Sequence, residues 1–114
     1  MSFFDSEVVR AEMVEISELQ EEVYSNVFKF PRMTKEDQVY HISILERLLD
    51  KLRVLYTRLS LSDDPEAKKM KREVEEGARK MGLPSAVDMN ALFANMSDMV
   101  DMMKQHIDKE SATL

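Results

Sequence analysis

The two histidines are the side chains best suited to metal or acid–base chemistry in this chain. His41 follows Asp37 by four residues, so a helix would present both side chains to a metal on one face. A di-iron helical bundle, however, requires a Glu-x-x-His motif on two of its helices. Gln38 stands three residues before His41, and Met103 stands three residues before His106. We therefore predict no metal site and no bound cofactor.

The chain also lacks the residues that other catalytic arrangements require. The 114-residue chain contains no Cys, which excludes a thiol nucleophile and a Cys-ligated zinc site. Its two Gly cannot build a phosphate-binding loop or a dinucleotide fingerprint. No Gly flanks a Ser as a nucleophile elbow requires, and no spacing singles out a pair among the 22 Asp and Glu residues. We predict that the protein is not an enzyme and assign no catalytic or cofactor-binding residues.

The charge and hydropathy of the chain indicate which classes of partner are not favoured. Six basic residues lie between positions 68 and 80, but Glu residues interleave with them, and the net charge of the chain is -6. That charge opposes nonspecific attraction to phosphate, so a nucleic-acid partner is not favoured. The longest apolar run, Ala91-Leu92-Phe93-Ala94, is far shorter than the roughly 20 residues of a membrane span. Acidic residues follow the first few positions where a signal peptide needs basic ones. We expect a cytoplasmic protein with no membrane partner.

Four helices are predicted to position these side chains within a single domain over residues 1–114. Apolar residues at helical spacing, separated by breaks at Pro and Gly, place the helices at about 6–29, 35–60, 65–81 and 86–109. The tail 110–114 should fray. Four N-terminal caps are predicted from the residue types that precede each apolar pattern: Ser6, Thr34, Asp64 and Ser85. The third helix is predicted to stop at Met81-Gly82-Leu83-Pro84. At the first break, Pro31 is expected to force Phe30 out of helical geometry.

The second helix carries the strongest periodic signal. Its apolar residues follow a 3-4 spacing typical of a helix packed along a partner helix: Ile42, Leu45, Leu49, Leu52, Tyr56 and Leu59. Leu48 and Leu55 widen this stripe, so the helix should contact more than one neighbour.

Charge indicates the neighbour of this helix. Residues 1–30 carry seven acidic and two basic groups, whereas residues 31–62 carry four acidic and six basic groups. The sequence therefore predicts an all-α fold in which the first two helices form a long antiparallel hairpin. Basic residues of the second helix (Arg47, Lys51 and Arg58) should flank Glu15 and Glu18.

The apolar stripe of the second helix is wider than one short neighbour can cover, so we expect a homodimer that completes the bundle. The last helix is rich in methionine and shows a stripe of Met89, Leu92, Met96, Met99 and Met103, with Phe93, Val100 and Ile107 alongside. Such a stripe is typical of an ordinary core, and also of adaptable binding surfaces. The candidate partner or self-association surface comprises Leu49, Leu52, Tyr56, Met96, Met99 and Met103.

Three short segments carry a resemblance. They are Phe3-Phe4-Asp5-Ser6-Glu7-Val8-Val9, Leu61-Ser62-Asp63-Asp64, and Met81-Gly82 before the Met-rich last helix. Together they resemble a family of small, uncharacterised, all-helical proteins of cyanobacteria and their phages. The resemblance implies a cyanobacterial or cyanophage source and a cytoplasmic helical protein. It implies no catalytic or binding residue.

The favoured function is therefore a non-enzymatic helical protein-interaction module, an adaptor or regulator that acts on another protein. The alternative is a small ligand- or metal-binding helical bundle. A nucleic-acid-associated regulator ranks below both.

Overall fold

A computed structural model describes residues 3–80 and 89–112 of the chain. It begins with one 3₁₀ turn, Phe3–Asp5, and α1 follows at Glu7–Asn26. A 3₁₀ helix at Val27–Arg32 leads to α2, Lys35–Leu61. The last two helices are α3, Pro65–Lys80, and α4, Met89–Ala112. No strand occurs in these residues, so the predicted all-α class is confirmed; dimerisation stays a prediction.

The three helix starts within the described residues use the predicted caps. The Ser6 hydroxyl accepts the Val9 N–H at 3.4 Å, and the Thr34 hydroxyl accepts the Asp37 N–H at 3.2 Å. The Asp64 carboxylate accepts the Glu66 N–H at 2.9 Å and the Phe3 N–H. Each cap supplies an acceptor to an N–H that has no partner within its own helix. Asp64 thereby also ties the start of the chain to the start of α3.

The end of the first helix differs from the prediction. The α-helix stops at Asn26, and residues 27–32 continue as a 3₁₀ helix that includes both Phe30 and Pro31. The fixed φ of proline lies within the 3₁₀ range. Pro31 is therefore compatible with a 3₁₀ helix that includes Phe30. The Met33 N–H donates to the Phe30 carbonyl at 3.1 Å.

At the other end of the chain, α4 extends to Ala112, beyond the predicted end at 109, because no Gly or Pro follows Lys109 to stop it. The predicted stop at Met81-Gly82-Leu83-Pro84 and the predicted start of the fourth helix after Ser85 lie outside the described residues.

The central element is α2, which packs against α1, α3 and α4. Two ion pairs fix its antiparallel register with α1: Lys51 with Glu15 at 2.6 Å, and Arg58 with Glu12 at 3.2 Å. Lys51 therefore reaches Glu15, as predicted, whereas Arg58 reaches Glu12, one turn before the predicted pair Glu15 and Glu18. The wide apolar stripe of α2 contacts several helices, as predicted.

Three buried clusters join these helices. Where α1, α2 and α3 meet, the cluster is Ile16, Leu55, Leu59 and Ala67. Farther along the hairpin, Leu19 and Val23 pack on Ile44. The third cluster, Ile42 with Val100 and Ile107, seats α4 on α2.

The molecule is elongated, measuring 56 × 32 × 20 Å. Its radius of gyration is 16.4 Å, against about 13 Å expected for a compact chain of this length. Because α1, α3 and α4 all pack on α2, much of α4 has no helical neighbour among the described residues. None of the helices in the described ranges is long and apolar enough to cross a lipid bilayer.

Candidate functional site

The methionine-rich helix α4 buries one stripe of side chains and exposes another. The buried stripe contains Phe93, Val100 and Ile107, which recur at one heptad position, and Met89. The exposed residues are methionines: Met96 is 41% exposed, Met99 62% and Met102 66%. The predicted stripe of Met89, Leu92, Met96, Met99 and Met103 is therefore divided between the two faces. Interpreting it as ordinary core is wrong for Met96 and Met99, because Ile42 of α2 contacts the adjacent stripe.

The exposed methionines border an apolar groove of about 430 Å³ between α4 and the 3₁₀ helix before α2. We call this the methionine groove. It is lined by Phe30, Met99, Met102, Met103, His106 and Ile107. Phe30 and Met103 also pack against the buried cluster of Ile42, so the floor of the groove is continuous with the core. The groove thus has an apolar floor that packs against the core and a rim formed by the exposed side chains of Met99 and Met102.

The six predicted surface residues do not lie together. Met99 and Met103 line the methionine groove, whereas Met96 is exposed but is not part of its lining. Leu49 is half-buried in a wider groove of about 640 Å³ between α2 and α4. Leu52 packs against the cluster of α1, α2 and α3. Leu52 therefore serves contacts within the chain, whereas Leu49 lines an open groove.

Tyr56 joins three helices. Its hydroxyl donates a hydrogen bond to the Glu75 carboxylate at 2.9 Å, and its ring lies 6.0 Å from that of Phe93. The Lys71 ammonium lies 5.8 Å from the centre of the same ring, within the range of a cation–π contact. Tyr56 thus holds α3 and α4 on α2.

Four residues that line the groove lie outside the predicted surface: Phe30, Met102, His106 and Ile107. The sequence places Phe30 only in a helix break, and Met102 lies outside the predicted stripe of α4. The available signal was the i, i+3 relation of Met102 to Met99, which places both on one helix surface. Phe28, 92% exposed on the same 3₁₀ helix, also departs from the burial expected of a large aromatic side chain.

A second, polar cavity of about 290 Å³ lies beside the hairpin of α1 and α2. Asp37 and His41, noted in the sequence for their spacing, both line it, and Glu22 joins them from α1. A hydrogen bond from the Tyr40 hydroxyl to the Glu22 carboxylate raises the pKa of Tyr40. In the described part of the chain, no three His, Asp or Glu side chains are placed to hold a metal ion.

The family can now be stated. The chain matches the model of the family described as Domain of unknown function (DUF1825) over residues 1–107. It belongs to this family. No curated protein and no solved structure matches the chain. In this DUF1825 protein the methionine groove and the polar cavity lie entirely within the matched segment, and Ile107 of the groove is its last residue.

Proposed function

We propose that this protein is a non-enzymatic helical protein-interaction module, an adaptor or regulator that docks another protein in its methionine groove. We place it in the cytoplasm of a cyanobacterium or of a cell infected by a cyanophage. The observation that carries the proposal is the exposure of Met99 and Met102 beside the buried stripe of the same helix.

Methionine suits this role for a physical reason. Its side chain is unbranched and polarizable, so it adapts to the shape of an apolar partner. Contiguous exposed apolar patches on a soluble domain mark interaction sites more often than scattered single residues do. Met99, Met102 and Phe30 form such a patch, whereas exposed Val14 stands apart on α1.

We take the occupant to be an amphipathic helix of the partner that carries basic residues beside its apolar face. Asp98, Asp101 and Asp108 are exposed on α4 and form no ion pair with any described residue. The basic Lys104 on the same helix is already paired with Glu46 of α2. Asp98 precedes Met102 by four residues and is therefore its neighbour on the helix surface. A helix in an apolar groove with acidic flanks is a recurring mode of recognition.

A homodimer, which the sequence predicts, could also use the methionine groove. Within one chain α2 already packs against α1, α3 and α4, although Leu49 of its apolar stripe lines an open groove. A dimer that used the methionine groove would compete there with the proposed partner.

The test is a capture experiment with matched variants. Tagged wild-type protein, M102D and V14D are incubated with cyanobacterial lysate, and any captured protein is confirmed by reciprocal capture and by titration of the purified pair. We expect one partner to bind wild type and V14D and to bind M102D at least tenfold more weakly. A partner that binds all three equally, or no confirmed partner, would overturn the proposal. So would sedimentation equilibrium showing a wild-type dimer that M102D dissociates, because the occupant would then be a second copy.

A further inference from the structure

The polar cavity beside the α1–α2 hairpin contains an unusual histidine. His41 is only 5% exposed, and it lines the cavity from α2. Its one recorded ring contact is with Phe30, at 5.4 Å between centroids. Across residues 3–80 and 89–112 no group forms a hydrogen bond or ion pair with this imidazole. The ring nitrogens of His41 are not among the buried side-chain atoms that lack a partner, so they are accessible to water beside a largely buried ring.

The groups around His41 are mainly acceptors. The carboxylates of Glu22 and Asp37 line the cavity from α1 and α2. Asn26 uses its amide N–H to bond the Glu22 carbonyl at 2.8 Å, which leaves its Oδ1 as an acceptor. No Lys or Arg is among the lining residues. The cavity therefore combines two carboxylates, one of which accepts the Tyr40 hydroxyl, with neutral acceptors.

We propose that this cavity binds a small organic cation that carries a primary ammonium or a guanidinium group. The carboxylates of Glu22 and Asp37 supply the charge, and a ring nitrogen of His41 offers a further polar contact to the ligand. Met33 and Ile44, which complete the lining, contact its apolar stem. A divalent metal fits less well, because no three carboxylate or imidazole groups among the described residues are placed to hold one. The lining residues of this cavity differ from those of the methionine groove, although Phe30 of the groove contacts the His41 ring.

The cation could belong to a free molecule or to a Lys or Arg side chain of a protein. About 290 Å³ is at the lower end of the usual range for small-molecule pockets. That volume suits a short diamine or the end of one side chain. The chemistry at the carboxylates and at His41 is the same in both cases, so the experiment must separate the two sources.

The imidazole proton signals in the NMR spectrum provide the test, because the chain contains only two His. The second, His106, lines the methionine groove and serves as an internal control. The probes are 1,4-diaminobutane, guanidinium, N-acetyl-lysine amide, Zn²⁺ and, as a neutral control, butanol. We expect the organic cations to shift the His41 signals saturably, with a Kd of about 1 mM or lower, and to leave those of His106 in place. Tighter binding of the diamine than of the lysine amide assigns the site to a free molecule, and the reverse order assigns it to a protein side chain.

Two variants make the outcome specific. D37N removes one negative charge from the cavity and should weaken binding of the cations at least tenfold. D63N removes an exposed carboxylate that does not line the cavity and should leave binding unchanged. The proposal is overturned if butanol shifts His41 as strongly as the diamine, if only Zn²⁺ binds, if no probe saturates, or if D37N binds like wild type. None of these results bears on the partner of the methionine groove.

Discussion

Replacement of Ile42 by alanine tests how α4 is seated. Ile42 is completely buried, and it packs against Val100 and Ile107 of α4. Phe30 and Met103 surround this cluster, so the same contact supports the floor of the methionine groove. A loss of volume at Ile42 should therefore weaken the attachment of α4 to α2 directly.

The expected cost follows from the atoms removed. Ile→Ala deletes three carbon groups, which are worth about 0.8 kcal/mol each when buried, or about 2.4 kcal/mol together. A residual cavity of about 60 Å³ adds roughly 1.5 kcal/mol at about 24 cal/mol per Å³. We expect I42A to lower the free energy of unfolding by about 4 kcal/mol, a large part of the 5–15 kcal/mol typical of a domain.

Urea denaturation followed by far-ultraviolet circular dichroism measures this loss as a lower midpoint at constant slope. M99A is the matched control, since Met99 is 62% exposed on the same helix and should change stability by no more than about 0.5 kcal/mol. A cost below about 1 kcal/mol for I42A, or equal costs for I42A and M99A, would refute the proposed seating of α4.

The remaining predictions concern a cap and an ion pair. D64A should lower the free energy of unfolding by about 2 kcal/mol, because α3 loses its cap and the Phe3 N–H loses its acceptor. D63A is the control in the same urea assay. Equal losses of stability for the two variants would contradict the role of Asp64. The hydrogen bond and charge of Lys51 lower the pKa of Glu15 from 4.5. This stabilisation is present above that unfolded value and is lost as the pH falls through the folded pKa, so the E15Q melting temperature should fall less on acidification than that of wild type or E18Q. Parallel melting curves against pH would contradict the coupling.

The hairpin could be predicted from the sequence because its signals are local. Thr34 and Asp64 are followed at once by apolar periodicity, and a cap depends only on the residues of one turn. The heptad of α2 required a packed partner along its length, and the acidic first helix indicated which one. The sequence did not indicate Glu12 as the partner of Arg58, because moving an ion pair by one turn changes little in charge or hydropathy.

The face of α4 could not be read in the same way. Positions 89, 93, 96, 100, 103 and 107 follow one 3-4 spacing, and the methionines at 96, 99 and 103 follow another that overlaps it. Both stripes are apolar, so hydropathy does not choose between them. Which stripe is buried depends on where Ile42 of α2 contacts α4, and this tertiary contact is not visible in the sequence of α4. Similarly, Asp37 and His41 were paired by spacing, but Glu22 reaches them only through the register of the hairpin.

The central claim is that the methionine groove docks a partner, and residue-by-residue oxidation by peroxide tests it most directly. Oxidation of methionine to its sulfoxide depends on exposure and can be located by mass spectrometry. In the free protein we expect Met99 and Met102 to react faster than Met89, which is 8% exposed. In the complex with the captured partner, Met99 and Met102 should become as slow as Met89. Unchanged oxidation rates for both residues in a saturated complex would contradict the account.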